Sequence, residues 1–189
     1  DYYIWQEACR FIRKCKEAGI APIPVSVNVS RFHLQDDECI QVLADLIEEN
    51  GFSKKLLELE ITETANDEQV SKKAFELKEA GCTLLMDDFG SGYSSLNVLL
   101  ETPFDVIKLD KKFMDNMMVS EKGKLILEQM VSMADKLELG IIAEGVETRE
   151  QVELLQGIGC DQVQGYYYAK PMPEEEFFTL LKEQHAAGA

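Results

Sequence analysis

"LLMDDFGSGYSSL" occupies residues 84–96. An apolar run of strand length ends there in two adjacent aspartates, Asp87 and Asp88, and passes into a glycine-broken loop. Two crowded carboxylates drive one another toward protonation unless a cation or a donor stands beside them, so the stretch predicts a positive partner nearby. Asp88-Phe89-Gly90 also spells the metal-binding triplet of protein kinases. The residues before it contain no glycine-rich phosphate loop and no His-Arg-Asp catalytic loop, which removes that reading.

Outward from this stretch the chain repeats one grammar, an apolar run followed by an amphipathic segment with recognisable ends. Strands are expected at 25–29, 56–62, 83–87, 105–109, 140–144 and 161–167. Helical spacing of Ile4, Trp5, Ala8, Cys9, Ile12 and Cys15 opens the chain. Further helices are expected at 36–50, with Asp36 as N-cap and Asn50-Gly51 closing it, and at 67–80, 120–138, 148–157 and 174–184. Thr148 and Gln151 stand at capping-box spacing, and Pro173 suits a first turn. Alternating strands and helices imply a parallel sheet, either doubly wound or closed as a (β/α) barrel. A complete barrel has about eight strands, so with six expected strands a barrel here lacks its beginning.

Polar residues mark the ends of these strands: Asn28, Glu60, Asp87 with Asp88, Lys108, Glu144 and Gln164. Carboxyl ends of parallel strands share one rim, where α/β folds build their sites. Each residue alone admits a structural role, as a cap, a turn former or a snorkelling lysine. Together, carboxylates and an amide oxygen without histidine suit Mg²⁺ or Mn²⁺ better than Zn²⁺. The four carboxylates Glu60, Asp87, Asp88 and Glu144 carry charge enough for two ions. The two histidines, His33 and His185, stand apart from this set.

Composition limits the partners. The 189 residues are 46% hydrophobic and 29% charged, as expected of one globular domain over 1–189. Thirty-five acidic against 19 basic residues give a formal net charge of -16, which disfavours a grip on a nucleic acid polymer. Five cysteines without Cys-x-x-Cys spacing argue against a disulfide or zinc framework and for a reduced, cytoplasmic setting. No stretch reaches the roughly 20 apolar residues of a membrane span, so any membrane tether of a longer protein lies outside this segment.

The motifs "SVNVS" (26–30), "ELEITE" (58–63), "DDFGSGYSSL" (87–96), "IKLD" (107–110), "AEGVET" (143–148) and "QGYYYAKPM" (164–172) together resemble the EAL family of cyclic di-GMP phosphodiesterases, over essentially the whole chain. The resemblance implies a TIM-like (β/α)8 barrel with one strand running against the others, and hydrolysis of one phosphodiester bond of cyclic di-GMP to linear pGpG. It implies Asn28, Glu60, Asp87, Asp88 and Glu144 as ligands of Mg²⁺ or Mn²⁺. Lys108, with Asp88 and Glu144, is then catalytic, and Gln164 lines the substrate pocket. Glu63 would brace the loop after the aspartate pair, with Asp110 and Glu147 in supporting positions. A homodimer through the loop at 88–96 and an upstream sensory or cyclase domain are further expectations of the resemblance.

The chain contains no Glu-Ala-Leu triplet, the family's namesake, whose glutamate is a metal ligand and which an arginine that contacts phosphate closely follows. The first strands are therefore expected to be missing from this chain. A module that binds cyclic di-GMP or a partner protein without turnover is the alternative. A different barrel enzyme, with Lys108 as a proton-abstracting base beside carboxylate-held Mg²⁺, is a third reading.

Overall fold

The computed structural model describes residues 1–36, 38–62, 68–91 and 95–188. Six strands form one sheet: β1 (Val25–Asn28), β2 (Leu57–Thr62), β3 (Thr83–Phe89), β4 (Val106–Leu109), β5 (Gly140–Ala143) and β6 (Gln162–Val163). Their order in the sheet is their order in the chain, and every pairing is parallel. A doubly wound sheet needs a point at which strand order reverses. None occurs among these six strands, so the crossovers wind in one sense and curl the sheet into part of a barrel. The strand that the resemblance sets against the others is not one of the six.

The helices follow from the chain's punctuation. They are α1 (Tyr2–Glu17), α2 (Arg31–Leu34), α3 (Cys39–Asn50), α4 (Glu68–Glu79), α5 (Ser95–Glu101), α6 (Lys111–Met118), α7 (Glu121–Lys136), α8 (Arg149–Gly157) and α9 (Glu174–Gly188). Thr148 and Gln151 form the expected capping box on α8. Gly51 ends α3 in the left-handed region. The expected helix over 36–50 starts later, at Cys39, and a separate short helix, α2, precedes it. Asp36 spends its carboxylate on the Glu38 N–H and the Tyr2 hydroxyl, which makes a turn rather than a cap. The sixth strand is shorter than 161–167, covering Gln162–Val163 alone.

Alternation along the strands sorts the two faces. In β2, Leu57, Leu59 and Ile61 are buried in the main core with Leu43 and Ile47 of α3 and Val70, Ala74 and Leu77 of α4. Glu58, Glu60 and Thr62 therefore point to the concave side. Leu127, Val131 and Ala134 of α7 and Val152 and Leu155 of α8 continue the same core. Apolar burial thus lies between sheet and helices, and the strands' polar residues are left facing inward. All five cysteines are free and buried.

Helix α1 is fastened to the first strand by Trp5, which is fully buried and whose indole N–H donates to the Asn28 carbonyl oxygen at 2.9 Å. Trp5→Phe removes that donor and leaves the carbonyl short of a partner, at a cost of about 1–3 kcal/mol. A thermal melt of the variant should show a lower midpoint than the parent. An unchanged midpoint would mean that α1 is held by burial alone.

Candidate metal centre

Register delivers the polar residues to one end of the concave face. Asn28 pairs with Glu60 across β1 and β2, Thr62 with Asp87 across β2 and β3, and Lys108 with Ile142 across β4 and β5. Glu144 follows β5 directly, its N–H donating to the Leu109 carbonyl oxygen at 3.1 Å. Gln164 follows β6, its N–H donating to the Ala143 carbonyl oxygen at 2.8 Å.

Lys108 is the hub of this end. Its side chain is only 6% exposed, and its ammonium lies 2.8 Å from a carboxylate oxygen of each of Glu60, Asp87 and Glu144. Those three acids come from three different strands or strand ends, so one cation ties the middle of the sheet together. Burial pulls the Lys108 pKa down, yet the bonds to Asp87, Glu144 and Glu60 outweigh it and leave the pKa raised. Lys108 is therefore an ammonium at neutral pH, a donor and a fixed charge. In this arrangement it is a poor proton-abstracting base.

The aspartate pair is split by a backbone irregularity. Strand register shifts between Met86 and Phe89, and Asp88 adopts φ 57°. A bulge at this point turns two consecutive carboxylates toward one place, where a regular strand would send them to opposite faces. Asp87, Asp88 and Glu144 each offer an oxygen within 4.8 Å of the others. Three hard oxygen donors so gathered fit a divalent cation of the Mg²⁺ or Mn²⁺ kind, while Glu60 joins them through Lys108 and Asn28 stands one strand further out, opposite Glu60. A carboxylate has two oxygens and about four acceptor sites, so those bound to Lys108 keep capacity for an ion.

The remaining expected residues are placed less centrally. Asp110 caps α6, its carboxylate accepting from the N–H groups of Lys112 and Phe113 at 3.0 and 3.2 Å. Glu147 lies 3.4 Å from the Lys111 ammonium. Gln164 and Glu144 line a cleft of about 1010 Å³ together with Lys111, Glu147, Tyr166 and Lys170. Lys111 carried no sequence signal beyond its position after Asp110. The loops after β5 and β6 meet at Gly165, where a Cβ would collide with the backbone of Val146. Glu63 and residues 92–94 lie outside the described residues, and with them the expected brace and part of the expected dimer loop.

Burial raises the pKa of Asp88, and Asp87 and Asp110 raise it further against the opposing pull of Lys108. Glu144 is also raised, chiefly by burial, although Lys108 pulls the other way. Folded-state values above the unfolded ones mean that the folded domain keeps protons which the unfolded chain has lost. Stability from these groups is present at low pH and declines as pH rises from the ordinary carboxylate range through the raised values. The metal-free domain should thus lose stability from these groups as pH rises above the ordinary carboxylate range of about 4. Thermal melts over that rise should show a shallower decline in Asp88→Asn, and an identical slope would sever Asp88 from the effect. Lys108→Met leaves three carboxylates without their cation and should cost about 3–5 kcal/mol by denaturant titration.

Comparison with known proteins agrees with this geometry. A family model for the EAL domain matches residues 1–171. Cyclic di-GMP phosphodiesterase NbdA of Pseudomonas aeruginosa is 36% identical over 188 residues, 96% of this chain and 24% of NbdA. The EAL domain of Mycobacterium smegmatis DcpA superposes with a TM-score of 0.88 at 30% identity, covering 95% of this chain and 82% of that one. A c-di-GMP complex of the PaMucR phosphodiesterase gives 0.84 at 31% identity, over 93% of this chain and 72% of that one. The chain spans about a quarter of the length of NbdA and of two other multidomain-sized curated relatives of similar identity. Strand order, carboxylate cluster and sequence motifs converge on one conclusion: the chain belongs to the EAL domain family.

Proposed function

We propose that this domain hydrolyses one phosphodiester bond of cyclic di-GMP to give linear pGpG, with Mg²⁺ or Mn²⁺ held by Asn28, Glu60, Asp87, Asp88 and Glu144. The observation that supports it most is the gathering of Asp87, Asp88 and Glu144 oxygens beside the Lys108 ammonium, at the carboxyl ends of parallel strands. Similarity to NbdA and to the PaMucR complex supplies the substrate class.

A phosphodiester resists hydrolysis because its charge repels an incoming hydroxide. Bound divalent ions supply a nucleophile at neutral pH and neutralise charge developing at phosphorus. Lys108 adds a positive charge that needs no reorganisation, since three carboxylates already hold it in place. Those same carboxylates keep it protonated and engage its three N–H donors, so it acts on a water or a phosphoryl oxygen through its charge, or through a donor released when one of the acids turns to the metal. Gln164, fixed to β5 through its backbone, offers an amide to the ligand from the cleft wall.

The second reading is a module that binds cyclic di-GMP or a partner protein without turnover. It is favoured by one feature of the site: Glu60, Asp87 and Glu144 engage all three N–H donors of Lys108, which leaves none for an attacking water in this arrangement.

Incubating the purified chain with cyclic di-GMP and Mg²⁺ or Mn²⁺, against a chelated control, should yield a linear dinucleotide on chromatography. Asp87→Ala should lower that rate at least a hundredfold while leaving the circular dichroism spectrum intact, the scale on which loss of a metal or an oxyanion partner acts. Tight binding of cyclic di-GMP without product would select the second reading. Unimpaired turnover in Asp87→Ala would remove the aspartate pair from the chemistry.

A further inference from the structure

We propose that Lys111 is a positioning residue for Glu144, holding the turn that carries this carboxylate so that it meets Asp87 and Asp88 in a metal-binding arrangement. The inference rests on the functional reading above for the identity of the metal, and on the geometry around Gly145 for the rest.

Glu144 is followed at once by Gly145, in the left-handed region at φ 66°. A glycine next to a ligand gives the ligand a loose backbone unless something restrains it. Two restraints act from within the sheet: the Glu144 N–H on the Leu109 carbonyl oxygen, and the Val146 N–H on the Gln164 carbonyl oxygen, both at 3.1 Å. Lys111 supplies a third from the other side. Its stem lies flat against Gly145, so closely that a Cβ there would come within 2.6 Å of the Lys111 Cβ and Cδ. Its ammonium then reaches Glu147, 3.4 Å away at the far end of the same turn, and Asp115 at 3.2 Å on its own helix.

Lys111 is itself well anchored. It is the first residue of α6, directly after Asp110, whose side chain caps that helix. The helix start follows β4, the strand that carries Lys108. Lys111 thus connects the end of β4 to the turn after β5. Lys111 and Glu147 are 44% and 47% exposed, and an ion pair so open to solvent adds little to global stability. What it restrains is local, the turn that aims Glu144.

Coulomb's law and this role predict opposite signs. Removing a lysine near a cation site weakens repulsion and by itself strengthens cation binding. Removing a clamp disorders a ligand and weakens it. Mn²⁺ titrations of the full 189-residue chain, followed by electron paramagnetic resonance, should show roughly tenfold weaker binding in Lys111→Ala, the scale on which outer partners of metal ligands act. Lys111→Met, which keeps most of the stem, should fall between Lys111→Ala and the parent. Lys111→Arg should restore parental binding, and thermal midpoints of all three should stay close to the parent's. Equal or tighter Mn²⁺ binding in Lys111→Ala overturns the proposal. A parent chain that binds Mn²⁺ but leaves cyclic di-GMP intact ends the functional reading, while the comparison of Mn²⁺ affinities still decides Lys111. A parent that binds no Mn²⁺ ends both.

Discussion

A lysine buried to 6% exposure inside a parallel sheet is tolerable only if its charge is met, and at Lys108 three strands contribute to meeting it. Glu60, Asp87 and Glu144 each place an oxygen 2.8 Å from its ammonium. Neither side could be buried alone: a lone lysine would shed its proton, and the carboxylates would take protons up. Counting Asp88, four carboxylates stand against one ammonium, which leaves three formal negative charges at one end of the sheet. Such an excess attracts divalent cations, and the lysine opposes the uptake of protons in their place. The apolar core lies on the other face of the same strands, so a change at Lys108 is felt by the sheet as well as by the site.

Much of this was legible in the sequence because it depends on strand periodicity. Alternation in "LELEIT" places Glu58 and Glu60 on the face opposite Leu57 and Leu59, and polar residues at the ends of apolar runs mark the rim. The short helices were harder. Helices α5 and α6 cover seven and eight residues, too few for a helical period to declare itself, and α2 covers a single turn. Asp110 was expected in a supporting role at the site, and its side chain caps α6; an aspartate after a strand end suits both descriptions until the helix is seen. Asp36 is an expected cap that instead serves a turn and the Tyr2 hydroxyl.

Contacts between elements distant in sequence had no local signal. Nothing in "IKLD" says that its lysine will touch acids 48 and 21 residues before it and 36 after, because that proximity is made by strand order. The choice between a doubly wound sheet and a barrel was likewise invisible to periodicity, since both share one grammar of strands and helices, and only the resemblance of the motifs pointed to the barrel. Sheet order decided it. The left-handed Asp88 was also unforeseen: a non-glycine residue at positive φ is uncommon, and here it is what lets two consecutive aspartates act together.

That sheet order also bears on how the protein comes into being. Each strand's neighbour is the one made just before it, so during vectorial synthesis every new strand can add to an edge already formed. Glu60 and Asp87 have therefore been made when Lys108 emerges, and acids from both preceding strands are at hand for the ammonium. Glu144 arrives last and completes the enclosure. The chain's direction spares the nascent domain a stage in which a bare lysine must be buried before any acid can receive it.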